Sequence, residues 1–308
     1  DGTHDVALKY MLDYHASLDY ERGYVDRHLH DLPALEAVER WFPEGANEGV
    51  RIRISMDRFL KSDFALSPRT TDGPIPFAGF ACAFAGVPTV YRGEGAVEAA
   101  FGEDVRDVIG GTKPLIVDAV GATILTREGV DCGLAGEGTW TAGTVRYLKA
   151  SNPDELALVD RGVCRLLSAP LKPGAKVILR AEAGETVPLA YVYENAAGRR
   201  FLVYFYDGMS ITRASGLHRG YLARRALLEG YRFLAGRNPS VVAPAHPDLY
   251  LATARGVDGS LSILIANCSA DALLEPVFEL DRSYACVACP TADRIRLDGT
   301  RLVFEDPI

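Results

Sequence analysis

Pro114-Leu-Ile-Val-Asp118-Ala-Val-Gly-Ala-Thr-Ile-Leu-Thr-Arg-Glu-Gly129 is the stretch that decides the fold class. A short apolar run bounded by Pro114 and Asp118 is the sharpest strand signal in the chain. The apolar stripe that follows, closed by Gly129, predicts a helix with a glycine at its end. Outward on the amino-terminal side, Gly49-Val-Arg-Ile-Arg-Ile-Ser-Met-Asp57 alternates apolar with polar residues, the period of a strand. Pro76-Phe-Ala-Gly-Phe-Ala-Cys-Ala-Phe-Ala-Gly86 is apolar on all sides and predicts a buried helix, and Val87-Pro-Thr-Val-Tyr91 a second strand. The acidic segment from Glu94 to Ile109 reads as another helix. Strand and helix alternating about every 10–15 residues predict a parallel sheet covered by helices.

Further out the pattern changes. Val130 to Leu158 is glycine-rich and reads as irregular, with Trp140 in its middle. From Lys176 the period becomes two. Leu189–Tyr193 and Arg200–Tyr206, joined by the turn Glu194-Asn-Ala-Ala-Gly198, predict a hairpin. Tyr221 to Ala235 carries the apolar stripe of a helix that Gly236-Arg-Asn-Pro239 ends. Beyond Pro244–Asp248 everything reads β: 249–254 and 260–266 around Asp258-Gly259, then 275–280, 285–288, 295–297 and 302–304. Short strands at this spacing predict a small antiparallel sandwich. Ahead of the α/β core, His4 to Trp41 has the pattern of two amphipathic helices with no strand of its own. The expected organisation is a helical lead-in over 1–45, an α/β domain over 46–243 and a β-sandwich over 244–308.

The chain has 308 residues, 48% hydrophobic and 24% charged, a globular composition. A net charge of −8 argues against nucleic acid as the main partner, since phosphate binding needs a basic surface. No apolar run reaches the roughly 18 residues of a membrane span. Six scattered cysteines form no dense disulfide framework, which points to reduced thiols and a cytoplasmic setting.

Few residues read as chemistry. Cys286-Val-Ala-Cys289 is a single CxxC in strand territory, without the second ligand pair that zinc wants or the helix that would activate a redox thiol. His28 and His30 have the spacing of ligands on a strand but sit in a helical or loop setting. Cys82 lies between Ala81 and Ala83 in an apolar helix, not on the sharp glycine-flanked turn of a nucleophile elbow. Gly93-Glu-Gly95 lacks the full G-x-G-x-x-G, and Glu94 with Glu98 would repel phosphate. The sequence therefore indicates no catalytic residue, no metal site and no cofactor. Glu94 and Asp118 remain as candidate ligand-binding carboxylates, because both follow predicted strands on the side where open α/β sheets bind ligands. The alternative for both is an acid that satisfies a helix start.

The order of elements resembles the carboxyl-terminal half of β-galactosidase-type glycoside hydrolases. In that family a catalytic barrel is followed by a flavodoxin-like domain, also called the trimerisation or glutamine-amidotransferase-like domain, and then by a small β-sandwich. Gly49-Val-Arg-Ile-Arg-Ile-Ser resembles the opening strand of the middle domain. Phe84-Ala-Gly-Val-Pro88 is similar to its first helix-to-strand junction, and Leu115 to Gly129 to a strand-plus-helix segment ending in Arg-x-Gly. Tyr193-Glu-Asn-Ala-Ala-Gly-Arg199 resembles the hairpin near the domain's end; Asp258-Gly259 and Asn267 to Asp271 resemble the start of the sandwich. The resemblance implies a non-catalytic region that shapes a sugar cleft, partners of carbohydrate and further copies of itself, and no catalytic residue, since the family's catalytic carboxylates sit on the barrel. His4 to Trp41 would be the end of that barrel, and the chain a piece of something longer. Two other functions are weighed: a freestanding carbohydrate-binding or assembly module, and an enzyme using the α/β domain itself, against which the missing elbow speaks.

Overall fold

The structure, a computed structural model, describes residues 36, 42, 47–55, 77–91, 93–149, 155–208, 217, 220–244, 249–267, 271–289, 292 and 294–308. The chain separates into two units, Asp1–Pro43 and Glu44–Ile308. The expected lead-in helices, His28, His30 and the end of the first strand at Met56 and Asp57 lie outside the described residues.

In the second unit, β1 (Asn47–Glu48) and β2 (Val50–Ile52) precede α1 (Phe77–Phe84), β3 (Thr89–Val90) and β4 (Val97–Ala100). A 3-10 helix (Gly102–Val108), β5 (Leu115–Val117) and α2 (Ala119–Arg127) follow. Next come β6 (Thr139–Lys149), β7 (Leu156–Ser168), β8 (Lys176–Glu182), β9 (Thr186–Glu194) and β10 (Arg200–Tyr204). Strands β2 to β10 make one nine-stranded sheet ordered β3-β2-β4-β5-β10-β9-β8-β6-β7. Its first five strands are parallel. Counted along the chain from β2 they run 2-1-3-4-5, the flavodoxin-like order. The other four extend the sheet as antiparallel ribbons.

The parallel half is buried on both faces, and alternate residues divide between two cores. Ile116, Leu202 and Tyr204 join Val50, Ala81 and Cys82 on the face covered by α1 and α3 (Tyr221–Ala235). Leu115, Val117, Phe201 and Val203 join Val105, Ala122 and Leu125 on the face covered by the 3-10 helix and α2. This explains why Pro114–Gly129 reads so clearly. The strand is apolar at every position because both faces are covered, and α2 is punctuated at both ends: Asp118 caps it by accepting from Gly121 N, and Gly129 closes it at φ +81°. α3 ends as its sequence predicts, on Gly236 in the left-handed region with its N–H bonded to Arg232 O. On that helix Gly230 is set by packing: a Cβ there would stand 2.6 Å from Leu202 Cδ2.

Two stretches of the α/β part differ from expectation. Glu94–Ile109 is not a helix but β4 followed by the 3-10 helix. Val97, Ala99 and Ala100 are wholly buried between β2 and β5, and Glu98, 3% exposed, is taken up by an ion pair with Arg53. Val130–Leu158 ends not in irregular chain but in β6 and the start of β7, strands of 11 and 13 residues. Most of β6 is exposed on both faces, so it lacks the alternation that marks a half-buried strand.

The last part of the chain forms two small antiparallel sheets. One contains β1, β12 (Leu249–Arg255) and β13 (Leu261–Asn267). The other contains β11 (Val241–Val242), β14 (Val277–Leu280), β15 (Ile295–Asp298) and β16 (Arg301–Phe304). They share a core around Leu249, Leu251, Phe278 and Phe304, with the two rings edge-to-face at 5.7 Å. No strand forms at 285–288, where the chain is non-regular and largely exposed. Arg255 ties the module together through Glu48 at 2.7 Å, Asp281 at 2.9 Å and the Tyr284 hydroxyl at 3.1 Å. The fold is thus an α/β domain followed by a small β-sandwich, with β1 and β11, which flank the α/β domain in sequence, both paired into the sandwich sheets.

Candidate functional site

The five parallel strands end on one rim, the side on which open α/β sheets bind ligands. Asp118 stands there directly after β5 and is completely buried. Its Oδ1 accepts from Gly102 N and Gly121 N, and its Oδ2 from Gly208 N, each at 2.8 Å. One carboxyl group therefore joins the chain leaving β4, the start of α2 and the chain leaving β10. Burial raises the acid and nearby Asp207 adds to the rise, the three amides oppose it, and the balance leaves it pushed up to about 7. The glycines permit the approach: a Cβ on Gly208 would fall 2.3 Å from the Phe101 ring, and Gly102 has φ +58°.

Glu94 lies elsewhere. It precedes β4 and is paired with Lys113, the residue two before β5, whose ammonium also reaches Gly95 O at 3.3 Å. Since β4 and β5 are parallel, Glu94 sits at the amino-terminal end of the strands and Asp118 at the carboxyl end. The structure does not bring the two candidates together. Glu94 is 80% exposed, and the hydrogen bond and charge of Lys113 hold its carboxyl below the usual range. Cys82 is fully enclosed, and burial pushes its thiol up to about 12, the opposite of an activated nucleophile. Cys286 is exposed and Cys289 half-buried. Among the described residues no group of three or more His, Cys, Asp or Glu is placed to hold a metal.

Beside Asp118, on the outer side of α2, lies a groove of about 260 Å³. Its floor is the α2 face carrying Val120, Thr123 and Arg127, and one wall is the 3-10 helix with Glu103 and Arg106. The opposite wall is Trp140 on β6 and Arg165 on β7. The register places Trp140 opposite Leu167 and Ala142 opposite Arg165, so Trp140 and Arg165 are diagonal neighbours. The Arg165 guanidinium sits 4.8 Å over the Trp140 ring, a cation–π contact. It also reaches Asp207 Oδ2 at 3.4 Å, while Asp207 N donates to Arg165 O at 2.9 Å. Asp207 adjoins Gly208, so the groove wall is linked to the Asp118 clamp. Arg106 is held by Glu103 and, at 3.4 Å, by Glu128.

An indole among guanidinium and carboxylate groups suits a small polar ligand with one apolar face. The volume is below the roughly 300–1,000 Å³ of pockets for drug-sized ligands. Sequence reasoning placed Trp140 in a loop and did not single out Arg165. The two meet only through the β6–β7 register, and the one available signal was an aromatic residue in a polar, glycine-rich stretch.

No family model matches the chain, and no curated protein matches it. Among solved structures it is similar to α-L-fucosidase isoenzyme 2 from Paenibacillus thiaminolyticus, with a TM-score of 0.41 and 10% identity over 75% of this chain and 43% of that one. It is also similar to Agd3, described as a novel carbohydrate deacetylase, with a TM-score of 0.33 and 10% identity over 61% of this chain and 35% of that one. The chain thus spans less than half the length of either protein it resembles.

Proposed function

We propose that this chain is a non-catalytic region of a carbohydrate-acting protein of glycoside-hydrolase type, and that it holds sugar in the groove between α2 and Trp140. The observation that carries the reading is the groove: an aromatic ring, hydrogen-bonding groups of both signs and a volume suited to one sugar ring, set beside a rigid strand-end clamp. Sugars bind proteins with an apolar ring face against an aromatic side chain while planar polar groups take the hydroxyls; here the Arg165 guanidinium covers one face of the Trp140 ring, so the sugar meets the indole beside Arg165 rather than beneath it. The finer placement, as the part that follows the barrel in a β-galactosidase-type enzyme, rests on the order of elements in the sequence.

Titration with a panel of monosaccharides and short oligosaccharides, followed by tryptophan emission and by ligand-observed NMR, tests this reading. Trp140→Ala is expected to weaken binding by about tenfold or more while the fold, checked by circular dichroism, persists. A panel without a binder, or a Trp140→Ala protein with undiminished affinity, sinks the reading.

Self-association belongs to the same proposal. Tyr147 and Leu158 are directly opposed on β6 and the edge strand β7, and with Leu156 they expose apolar surface at that end of the sheet. Light scattering across a concentration series is expected to show more than one copy per particle, and Leu158→Glu to reduce it. A monomer at every concentration removes this part of the proposal.

A further inference from the structure

Charge on the groove wall runs against the charge of the protein. The chain carries −8 overall, yet Arg106, Arg127 and Arg165 face the groove against Glu103 and Glu128. Arg106 is committed to those two carboxylates. The other two arginines are not. Arg127 approaches Glu137 most closely from Nε, at 3.4 Å, and its side chain is 63% exposed. Arg165 reaches Asp207 through Nη1 alone, also at 3.4 Å, with its side chain 54% exposed. Among the described residues no protein acceptor takes Nε or Nη2 of Arg165, or either Nη of Arg127. The contact with Trp140 restrains Arg165, so less side-chain freedom is lost when it binds a ligand. A guanidinium with donors to spare, already restrained on an aromatic ring, matches a planar carboxylate.

We propose that the groove selects a pyranose bearing a carboxylate, a uronate, over its neutral counterpart. The carboxylate meets Arg165 and Arg127, the ring lies towards Trp140, and Glu103 accepts hydrogen bonds from the sugar hydroxyls. This rests on the reading of the groove as a sugar site and adds the class of sugar.

The test compares galacturonate with galactose, glucuronate with glucose, and acetate alone, on the full chain, by NMR titration. Uronate is expected to bind about tenfold or more tighter than either the neutral sugar or acetate. Arg165→Gln should abolish that preference, bringing uronate affinity to that of the neutral sugar measured on the same variant. Arg165→Lys, which keeps the charge but not the fork, should fall between the two. The preference should shrink as salt rises from roughly 20 to 500 mM. Equal binding of uronate and neutral sugar overturns the inference and leaves the sugar site standing, as does a preference that survives Arg165→Gln. Acetate binding as tightly as uronate overturns it in favour of a simple anion site. Failure of both sugar classes to bind removes the inference and the reading beneath it together.

Discussion

Asp118→Ala is expected to cost about 3–5 kcal/mol of stability at pH 5, because it leaves three buried amides without an acceptor. Gly102, Gly121 and Gly208 all donate to this one side chain at 2.8 Å, in a site that water does not reach. The loss falls on three separate segments at once, so the carboxyl-terminal rim of the sheet should loosen as a unit. Hydrogen exchange is expected to speed up at all three glycine amides. A loss below about 1 kcal/mol by urea denaturation would refute the clamp.

The same residue sets a pH dependence whose sign can be worked out. The folded carboxyl is raised to about 7 against an ordinary value of 3.8. Between those values the folded protein holds a proton that the unfolded chain has released. Stability from this group is therefore full below pH 3.8 and is lost as pH rises through 7. A shift of about three units corresponds to roughly 4 kcal/mol. Asp118→Asn removes the titration, though its amide faces Gly208 N with a donor where an acceptor stood. Other groups titrate alike in both proteins, so the stability of wild type minus that of Asp118→Asn isolates the effect. It should fall by a few kcal/mol from pH 4 to pH 8; a difference flat in pH would show that the amides keep the carboxylate charged throughout.

The parts of the fold that could be read directly are those whose neighbours lie close in sequence. Pro114–Gly129 carries its strand, cap and closing glycine within 16 consecutive residues. β4 was obscured because the partner that neutralises Glu98 is Arg53, 45 positions away. An acid in a run of alanines suggests a helix until that pairing is known. β6 and β7 were obscured for a different reason: on this partly exposed extension of the sheet the buried residues of β6, Val145 and Leu148, are too few and unevenly spaced to impose a period of two. The groove was hidden by the same ribbons. Trp140 and Arg165 are 25 positions apart and meet only once the register is set, and the helix face they oppose belongs to a separate element. Asp118 was legible as a residue of consequence at a strand end, but its burial depends on the chain that returns after β10, some 90 residues later.

Arg199 illustrates the other half of that lesson, a turn residue whose work is done far from the turn. It follows Gly198 in the β9–β10 hairpin, a turn position of the kind that usually faces water, yet it is 6% exposed. Its Nε donates to Lys113 O at 2.9 Å, Nη1 to Ile109 O at 3.2 Å and Nη2 to Val108 O at 3.0 Å. The guanidinium carbon also lies 5.3 Å from the Phe201 ring centroid. The three carbonyls belong to the end of the 3-10 helix and the chain entering β5, where helix-end carbonyls lack internal partners and the local dipole favours a cation. Burial lowers the pKa of this arginine, but a guanidinium stays charged, so the carbonyls must stabilise that charge. Arg199→Ala takes a donor from three carbonyls, of which Val108 O keeps Gly111 N at 3.1 Å, and opens a gap beside Phe201; it is expected to cost about 3 kcal/mol. Arg199→Lys retains the charge but cannot span three carbonyls from one nitrogen, and should lose about 2 kcal/mol. Urea denaturation of both variants checks the order. If alanine and lysine are equally mild, the hairpin does not hold the 3-10 helix; if lysine is as damaging as alanine, the planar fork rather than the charge is what the site requires.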